Sequence, residues 1–307
     1  MTSKIIAFQA DHPSKLNPIS DTSIFLANEI QNRFRIFYYE PKDLSILNSK
    51  VIAKGFFVKF NYTKKKFYKI LEKQTVDLAK CKFILIRQDP PFNLEYITTT
   101  YILDTIRKKV KIINDPTSIR NISEKLYSVR YQKYMPDTNF TKDKKEIKKF
   151  FKKYKKVILK PIHSYSGNDI HLLKRFNLKL INKLLNKHGH IMCQKFIPKI
   201  NKGDKRVFII NGKVCGAISR VPKEGSFLSN MSKGAKPTTT KLTKNEFKIS
   251  KVIAKDLKQE KIYFAGIDFI DGKLNGDINI TSPTGLKTLF ELSNINLAKI
   301  FWKNLIK

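Results

Sequence analysis

Within GIDFIDGKLNGDINITSPT, residues 266–284, two carboxylates and an amide fall where a β-hairpin would gather them. Apolar residues alternate on both sides of a turn at Gly272, so the stretch reads as two paired strands. Residues i and i+2 of a strand share a face, which brings Asp277 and Asn279 together, and Asp268 joins them from the partner strand. Ile267, Phe269, Ile278 and Ile280 occupy the opposite register, so the three oxygen-bearing side chains share the face turned away from the core. Three hard oxygen ligands suit Mg²⁺, which keeps several waters and takes further ligands from substrate phosphates. The competing reading is a polar, solvated hairpin face that binds nothing.

Cations that could meet phosphates are the next requirement. Lys160 ends the apolar strand VILKP, a poor place for a merely solvating charge, and points at the following loop, HSYSGND. That loop has one glycine, Gly167, and offers Ser164 and Ser166 as donors. Arg206 in GDKRV and Arg220 in SRVP lie on the two arms of a hairpin that turns at Asn211-Gly212. They belong to a set of only nine arginines in a lysine-dominated chain, and arginine's planar fork is suited to clamping a carboxylate or a phosphate. The alternative for each is an edge-strand surface residue. Lys125, in NISEKL, reads as ordinary helix surface. Cys81, Cys193 and Cys215 are odd in number and widely spaced, and make neither a disulfide framework nor a zinc pattern.

The elements that must hold these residues follow from periodicity. Residues 4–120 alternate strand and helix: a strand at 5–8, a helix at SDTSIFLANEIQNR, the strand RIFYYE, a β-rich excursion over 44–60, and a buried strand at 83–86 stopped by two prolines. The helix LEYITTTYILDTIRKK and the strand VKIIND complete an open α/β sheet. Arg87, Gln88 and Asp89 then sit at the C-terminal end of a strand, where ligands of such sheets bind. SIRNISEKLYSVRYQKY reads as one helix, and Ile147, Phe150, Phe151 and Tyr154 form a buried stripe beneath a lysine face. Residues 223–236, small, polar and glycine-containing, read as a mobile loop, followed by a capping box at Thr243 and Glu246 and a helix over 245–259.

Composition bounds the partners. The net charge of +36 invites nucleic acid, but the basic residues are mostly lysine and are spread over nearly every helix rather than gathered into one stripe. No specific nucleic-acid partner is expected. No stretch reaches 18 apolar residues and the N-terminus lacks a signal-peptide run, so no membrane partner and a cytoplasmic location are expected.

IRQDPPF, EYITTTYILD, NDPTSIRNISEKL, VILKP, GDKRV and GIDFI…INITSPT stand in the order, and near the spacing, of bacterial glutathione synthetase, which the chain resembles over roughly residues 4–290. The resemblance implies an α/β (α+β) chain. An N-terminal open α/β substrate domain (1–120) would precede a two-part ATP-grasp fold, with a lid subdomain (121–190) and a C-terminal subdomain (191–307) that carries the Mg/ATP site. It implies ATP and Mg²⁺ (or Mn²⁺) as cofactors, with Lys125 and Lys160 on the ATP phosphates and Gln194, Lys195, Phe196 and Ile197 at the adenine. Asp268, Asp277 and Asn279 become the metal ligands, and Arg206 and Arg220 the catalytic cations. Arg87, Asp89, Ser282, Pro283 and Thr284 become substrate-binding. The reaction implied joins glycine to γ-glutamylcysteine through an acyl phosphate, in a homo-oligomer that is tetrameric by resemblance. Departures from the family pattern fall in three places. His163, Ser164, Tyr165 and Ser166 replace a glycine-rich loop with an aspartate, Asp277 replaces a glutamate, and Leu228 stands where the mobile loop normally has an arginine. The rival readings are another ATP-grasp amino-acid or peptide ligase, and a non-catalytic nucleotide- or polyanion-binding protein.

Overall fold

The structure, a computed structural model, describes residues 4–306. The N-terminal part is built on β1 (Ile5–Gln9), whose apolar run lets it lie buried at the centre of a sheet. α1 (Thr22–Ile30), capped by Asp21 on the Ile24 amide, leads to β2 (Arg35–Tyr39), which pairs with β1 in parallel. β3 (Leu44–Leu47), β4 (Lys50–Phe60) and β5 (Tyr68–Asp77) extend this edge antiparallel. β5 was not expected: its lysines and glutamate hide the alternation, and the strand is held by β4 rather than by a buried face of its own. The chain then crosses to the other side of β1 with β6 (Phe83–Ile86), α2 (Leu94–Asp104) and β7 (Lys111–Ile113), before α3 (Pro116–Asn121). The switch of direction between β1 and β6 opens a crevice at their C-terminal ends, next to Arg87, Gln88 and Asp89.

The helix expected over SIRNISEKLYSVRYQKY is two pieces. After α3 the chain leaves helical geometry and resumes as a 3₁₀ stretch from Leu126 to Tyr134. The reason is tertiary: the Glu124 carbonyl accepts from Ile278 N at 3.0 Å, and its side chain serves the residues that follow. Lys125, read as helix surface, is instead 4% exposed.

A four-stranded sheet follows, made by β8 (Thr138–Thr141), β9 (Val157–Pro161), β10 (His171–Leu173) and β11 (Ile191–Lys195), in the order β10-β9-β11-β8. α4 (Lys144–Tyr154) and α5 (Leu178–His188) cover one face with Ile147, Phe150, Ile181, Leu184 and Leu185. β11 pairs with both β8 and β9, so this unit closes at Lys195, past residue 190.

The last sheet runs β14-β13-β12-β15-β16, from β12 (Asp204–Ile210), β13 (Lys213–Val221), β14 (Lys236–Thr239), β15 (Phe264–Ile270) and β16 (Lys273–Asn279). α6 (Lys244–Gln259), with the capping box of Thr243 and Glu246 in place, covers the face that bears Ile267, Phe269 and Ile278. α7 (Leu286–Ser293) and α8 (Leu297–Leu305) follow the last strand. Their Leu289, Phe301 and Trp302 share a core with Phe8 of β1 and Ile24 of α1, so the N- and C-terminal parts are packed as one.

A candidate active site between three sheets

The hairpin β15–β16 forms as its alternation requires, with Asp271 and Gly272 in left-handed conformation at the turn. Between the pairs Ile267–Ile278 and Phe269–Leu274, a single residue, Asp268, faces three: Asn275, Gly276 and Asp277. The surplus is two residues, so the bulge leaves the in–out alternation unchanged. Leu274, Ile278 and Ile280 stay in the core while Asp277 and Asn279 stay on the other face. Gly276 allows the bulge: its φ is +87°, and a Cβ there would meet Met192 and lie 2.9 Å from Met135 Cε.

Register explains the ion pairs behind the hairpin. β12 lies between β13 and β15, with Asp204 opposite Arg220 and Arg206 opposite Asp268. Directly opposed side chains on one face are within reach, so opposite charges pair. Arg206 donates from Nε to Asp268 Oδ1 at 2.9 Å and from Nη2 to Oδ2 at 2.7 Å. Arg220 grips Asp204 through Nε (2.8 Å) and Nη2, and its Nη2 lies 3.1 Å from Asp268 Oδ2. Ser229, in the loop after β13, donates to Asp204 Oδ2 at 2.6 Å. Burial alone would raise the Asp268 carboxyl, but the two guanidiniums outweigh it and hold it well below the usual carboxylate range.

Two lysines come from the opposite side, Lys160 on the four-stranded sheet and Lys125 from the segment that opens the 3₁₀ stretch. Lys160, 3% exposed near the end of β9, donates to Asn275 O and Oδ1, both at 2.9 Å, and to Asp277 Oδ2 at 3.3 Å. Lys125 donates to Ser164 O at 2.7 Å and lies 3.6 Å from Asp277 Oδ1. Burial works to raise Asp277, yet Lys160 and then Lys125 hold it below its ordinary value. For Lys160, burial prevails over Asp277 and lowers the ammonium.

All these side chains face one cavity of about 550 Å³. Its wall also carries Gln194, Lys195, Phe196 and Ile197 at the end of β11, the loop residues Ser164 and Ser166, and Asp89, Ser282, Pro283 and Thr284. Arg87 is not on that wall. It is buried behind it, donating to Ser23 Oγ and to Pro283 O, each at 3.1 Å. Asp89 accepts from Ser282 Oγ at 3.0 Å, so residues read as substrate-binding also hold each other.

Two carboxylates kept ionised and one amide are a fitting donor set for a hard divalent cation. Asn279 spends its nitrogen on Gly266 O and Asp268 Oδ2, which leaves its oxygen for a cation. The lysine contacts to Asp277 are long for charge-assisted bonds and can be exchanged. In this cluster the cations Lys125, Lys160, Arg206 and Arg220 outnumber the anions Asp204, Asp268 and Asp277, an excess suited to phosphate.

Residues 5–120 match the prokaryotic glutathione synthetase N-terminal domain, and residues 124–294 match the ATP-grasp domain of the same enzymes. The chain is 37% identical over 303 residues to the glutathione synthetase of Mesorhizobium japonicum, covering 97% of this chain and 96% of that protein. The chain belongs to the prokaryotic glutathione synthetase family. A glutathione synthetase of Buchnera aphidicola is 36% identical over 305 residues, covering 97% of this chain and 94% of the relative. Among solved structures, D-cycloserine synthetase superposes with a TM-score of 0.67 at 11% identity, covering 98% of this chain and 99% of that one. D-alanyl-alanine synthetase A from Vibrio cholerae gives 0.62 at 15% identity, each chain fully covered, and both likenesses speak for the fold alone. As a member of the glutathione synthetase family the chain is an ADP-forming ATP-grasp ligase of glutathione synthesis.

Within that family fold, sequence reasoning passed over three residues. Asp204 stands two positions before Arg206, and same-face spacing could have found it. Glu124 accepts from Ile280 N (2.7 Å) and Thr281 N (3.0 Å), and Asn275 receives Lys160. Neither shows a pattern in the chain, because each acts on a strand more than 100 residues away.

Proposed function

We propose that the cavity ligates glycine to γ-glutamylcysteine at the expense of ATP, with Mg²⁺ or Mn²⁺ held by Asp268, Asp277 and Asn279. The observation that carries this is the meeting of two hairpin carboxylates with Lys125 and Lys160 in one cavity. Phosphate-binding cations and metal-binding anions already contact each other there. The metal, when bound, neutralises phosphate charge.

Lys125 and Lys160 then turn from Asp277 to the phosphates, and Gln194, Lys195, Phe196 and Ile197 line the adenine end. The cysteinyl carboxylate attacks the γ-phosphorus, ADP leaves, and an acyl phosphate forms on the substrate. The glycine amine attacks its carbonyl carbon and phosphate departs. Arg206 and Arg220 use Nε and Nη2 on buried carboxylates, which fixes both forks. The Nη1 of each is left to meet negative charge developing at the carbonyl. Asp89, Ser282, Pro283 and Thr284 stand on the substrate side, with Arg87 supporting them. The family resemblance further supports a cytoplasmic homo-oligomer, a tetramer. Incubation with ATP, Mg²⁺, γ-glutamylcysteine and glycine should give glutathione by mass spectrometry, with ADP release dependent on γ-glutamylcysteine. A folded protein that binds ATP yet forms no glutathione at any magnesium concentration would sink the proposal.

A further inference from the structure

Asn114 follows β7 directly, in the N-terminal part of the chain, yet its side chain works inside the last sheet. It is 4% exposed. Its Nδ2 donates to Phe264 O at 2.8 Å and to Ile280 O at 2.7 Å. Its Oδ1 accepts from the amides of Tyr263 and Phe264, both at 2.8 Å. A carboxamide has two N–H donors and two acceptor lone pairs, so every one is satisfied.

These partners stand at the open end of the hairpin. Phe264 begins β15, four residues before Asp268, and Ile280 directly follows Asn279. The β15–β16 pairing runs out at Gly266–Asn279, and Asn114 continues the link between the strands beyond that last pair. Glu124 holds β16 from its outer edge, accepting from Ile278 N, Ile280 N and Thr281 N. The main chain around Asn279 is therefore gripped from both sides by residues that precede the hairpin by some 150 positions.

We infer that Asn114 is a positioning residue for the metal ligands. It sets the separation of the strands where Asp268 and Asn279 lie side by side, their Oδ2 and Nδ2 atoms 3.3 Å apart. The N-terminal part of the chain thereby helps to shape the metal site as well as the substrate crevice. This inference rests on the hairpin being the metal site.

Asn114→Asp keeps the size and both acceptors but turns a carboxylate oxygen toward two carbonyl oxygens. Mn²⁺ binding to the protein–ADP complex, followed by electron paramagnetic resonance, should weaken at least tenfold. ADP binding without metal should stay within twofold of the unaltered protein, a split that general loss of structure would not produce. In the unaltered protein, Mn²⁺ added to the ADP complex should slow deuterium exchange at the Tyr263 and Phe264 amides, a measurement that does not depend on the variant folding. Mn²⁺ affinity within twofold in the variant, or unchanged exchange at those two amides, overturns the role of Asn114 alone. Absence of Mn²⁺ binding to the unaltered ADP complex overturns the metal reading, and this inference with it.

Discussion

Asp277 sits between two ammonium groups, 3.3 Å from Lys160 and 3.6 Å from Lys125, on the one carboxylate position where this chain is a methylene shorter than its family pattern. In the proposed metal site, Asp277→Asn removes a unit charge from a ligand set that would have only two, while the apolar face of the hairpin is untouched. Turnover should fall by orders of magnitude and recover in part with more Mg²⁺ or with Mn²⁺, which accepts neutral ligands more readily. Turnover measured against metal concentration for both proteins checks this, and an unchanged profile would remove the metal from the hairpin. A second prediction concerns Asp21, the α1 cap, whose carboxyl burial raises from an ordinary 3.8 to about 6. The folded chain then holds this proton more tightly than the unfolded chain. The cost of ionising Asp21 is absent below pH 4, grows as pH rises to 6, and is constant above. Asparagine caps a helix as well as aspartate does. Asp21→Asn should therefore add about 2–3 kcal/mol at pH 7.5, and the gain should vanish near pH 4 in denaturant titrations.

At the scale of elements, the site depends on two loops that meet over the cavity. Residues 223–236 send Ser229 to Asp204, and Lys233 donates to Asn168 Oδ1 at 3.0 Å in the loop that follows β9. Gly167 lies so close to Asn230 that a Cβ would come 2.7 Å from its Oδ1, so the two loops are in direct contact there. Few apolar contacts hold such a segment, and opening it costs little. Limited proteolysis should cut within 223–236 in the free protein and spare it with ATP and γ-glutamylcysteine present. Equal cutting in both states would show that the segment is no lid. Leu228, where the family pattern has arginine, lies on the cavity wall, and the neighbouring Ser229 makes the polar tie to the centre instead.

Across the whole molecule, the charges that matter to the site are the few that are buried. Lys125, Lys160, Arg206 and Arg220 are each buried against a carboxylate, whereas the lysines of α4 and α5 are exposed to solvent. A dispersed basic surface attracts polyanions through counterion release without reading sequence. Binding to duplex DNA should accordingly be weak, indifferent to sequence, and lost steeply between 50 and 200 mM salt in a fluorescence-anisotropy titration. Submicromolar, sequence-selective binding at physiological salt would give the charge a function of its own.

The hairpin, its turn and the face shared by Asp268, Asp277 and Asn279 were legible in the chain, because alternation and the i, i+2 rule are local and act on ten or so consecutive residues. The βαβ rhythm of the first part, the capping box before α6 and the strand that carries Lys160 were legible for the same reason. Family membership could be read from motif order alone. What the chain could not disclose are contacts between segments far apart. Lys125 looked like helix surface until the Glu124 backbone was claimed by β16, which breaks the helix and buries the lysine against Asp277. Arg87 looked like part of a ligand surface, but the C-terminal segment at Pro283 covers it. The pairing of Arg206 with Asp268 follows from strand order, since β12 must lie beside β15 for the two to be opposite. Strand order is decided by which faces can be buried together, and that is a property of the packed molecule rather than of any stretch of its sequence.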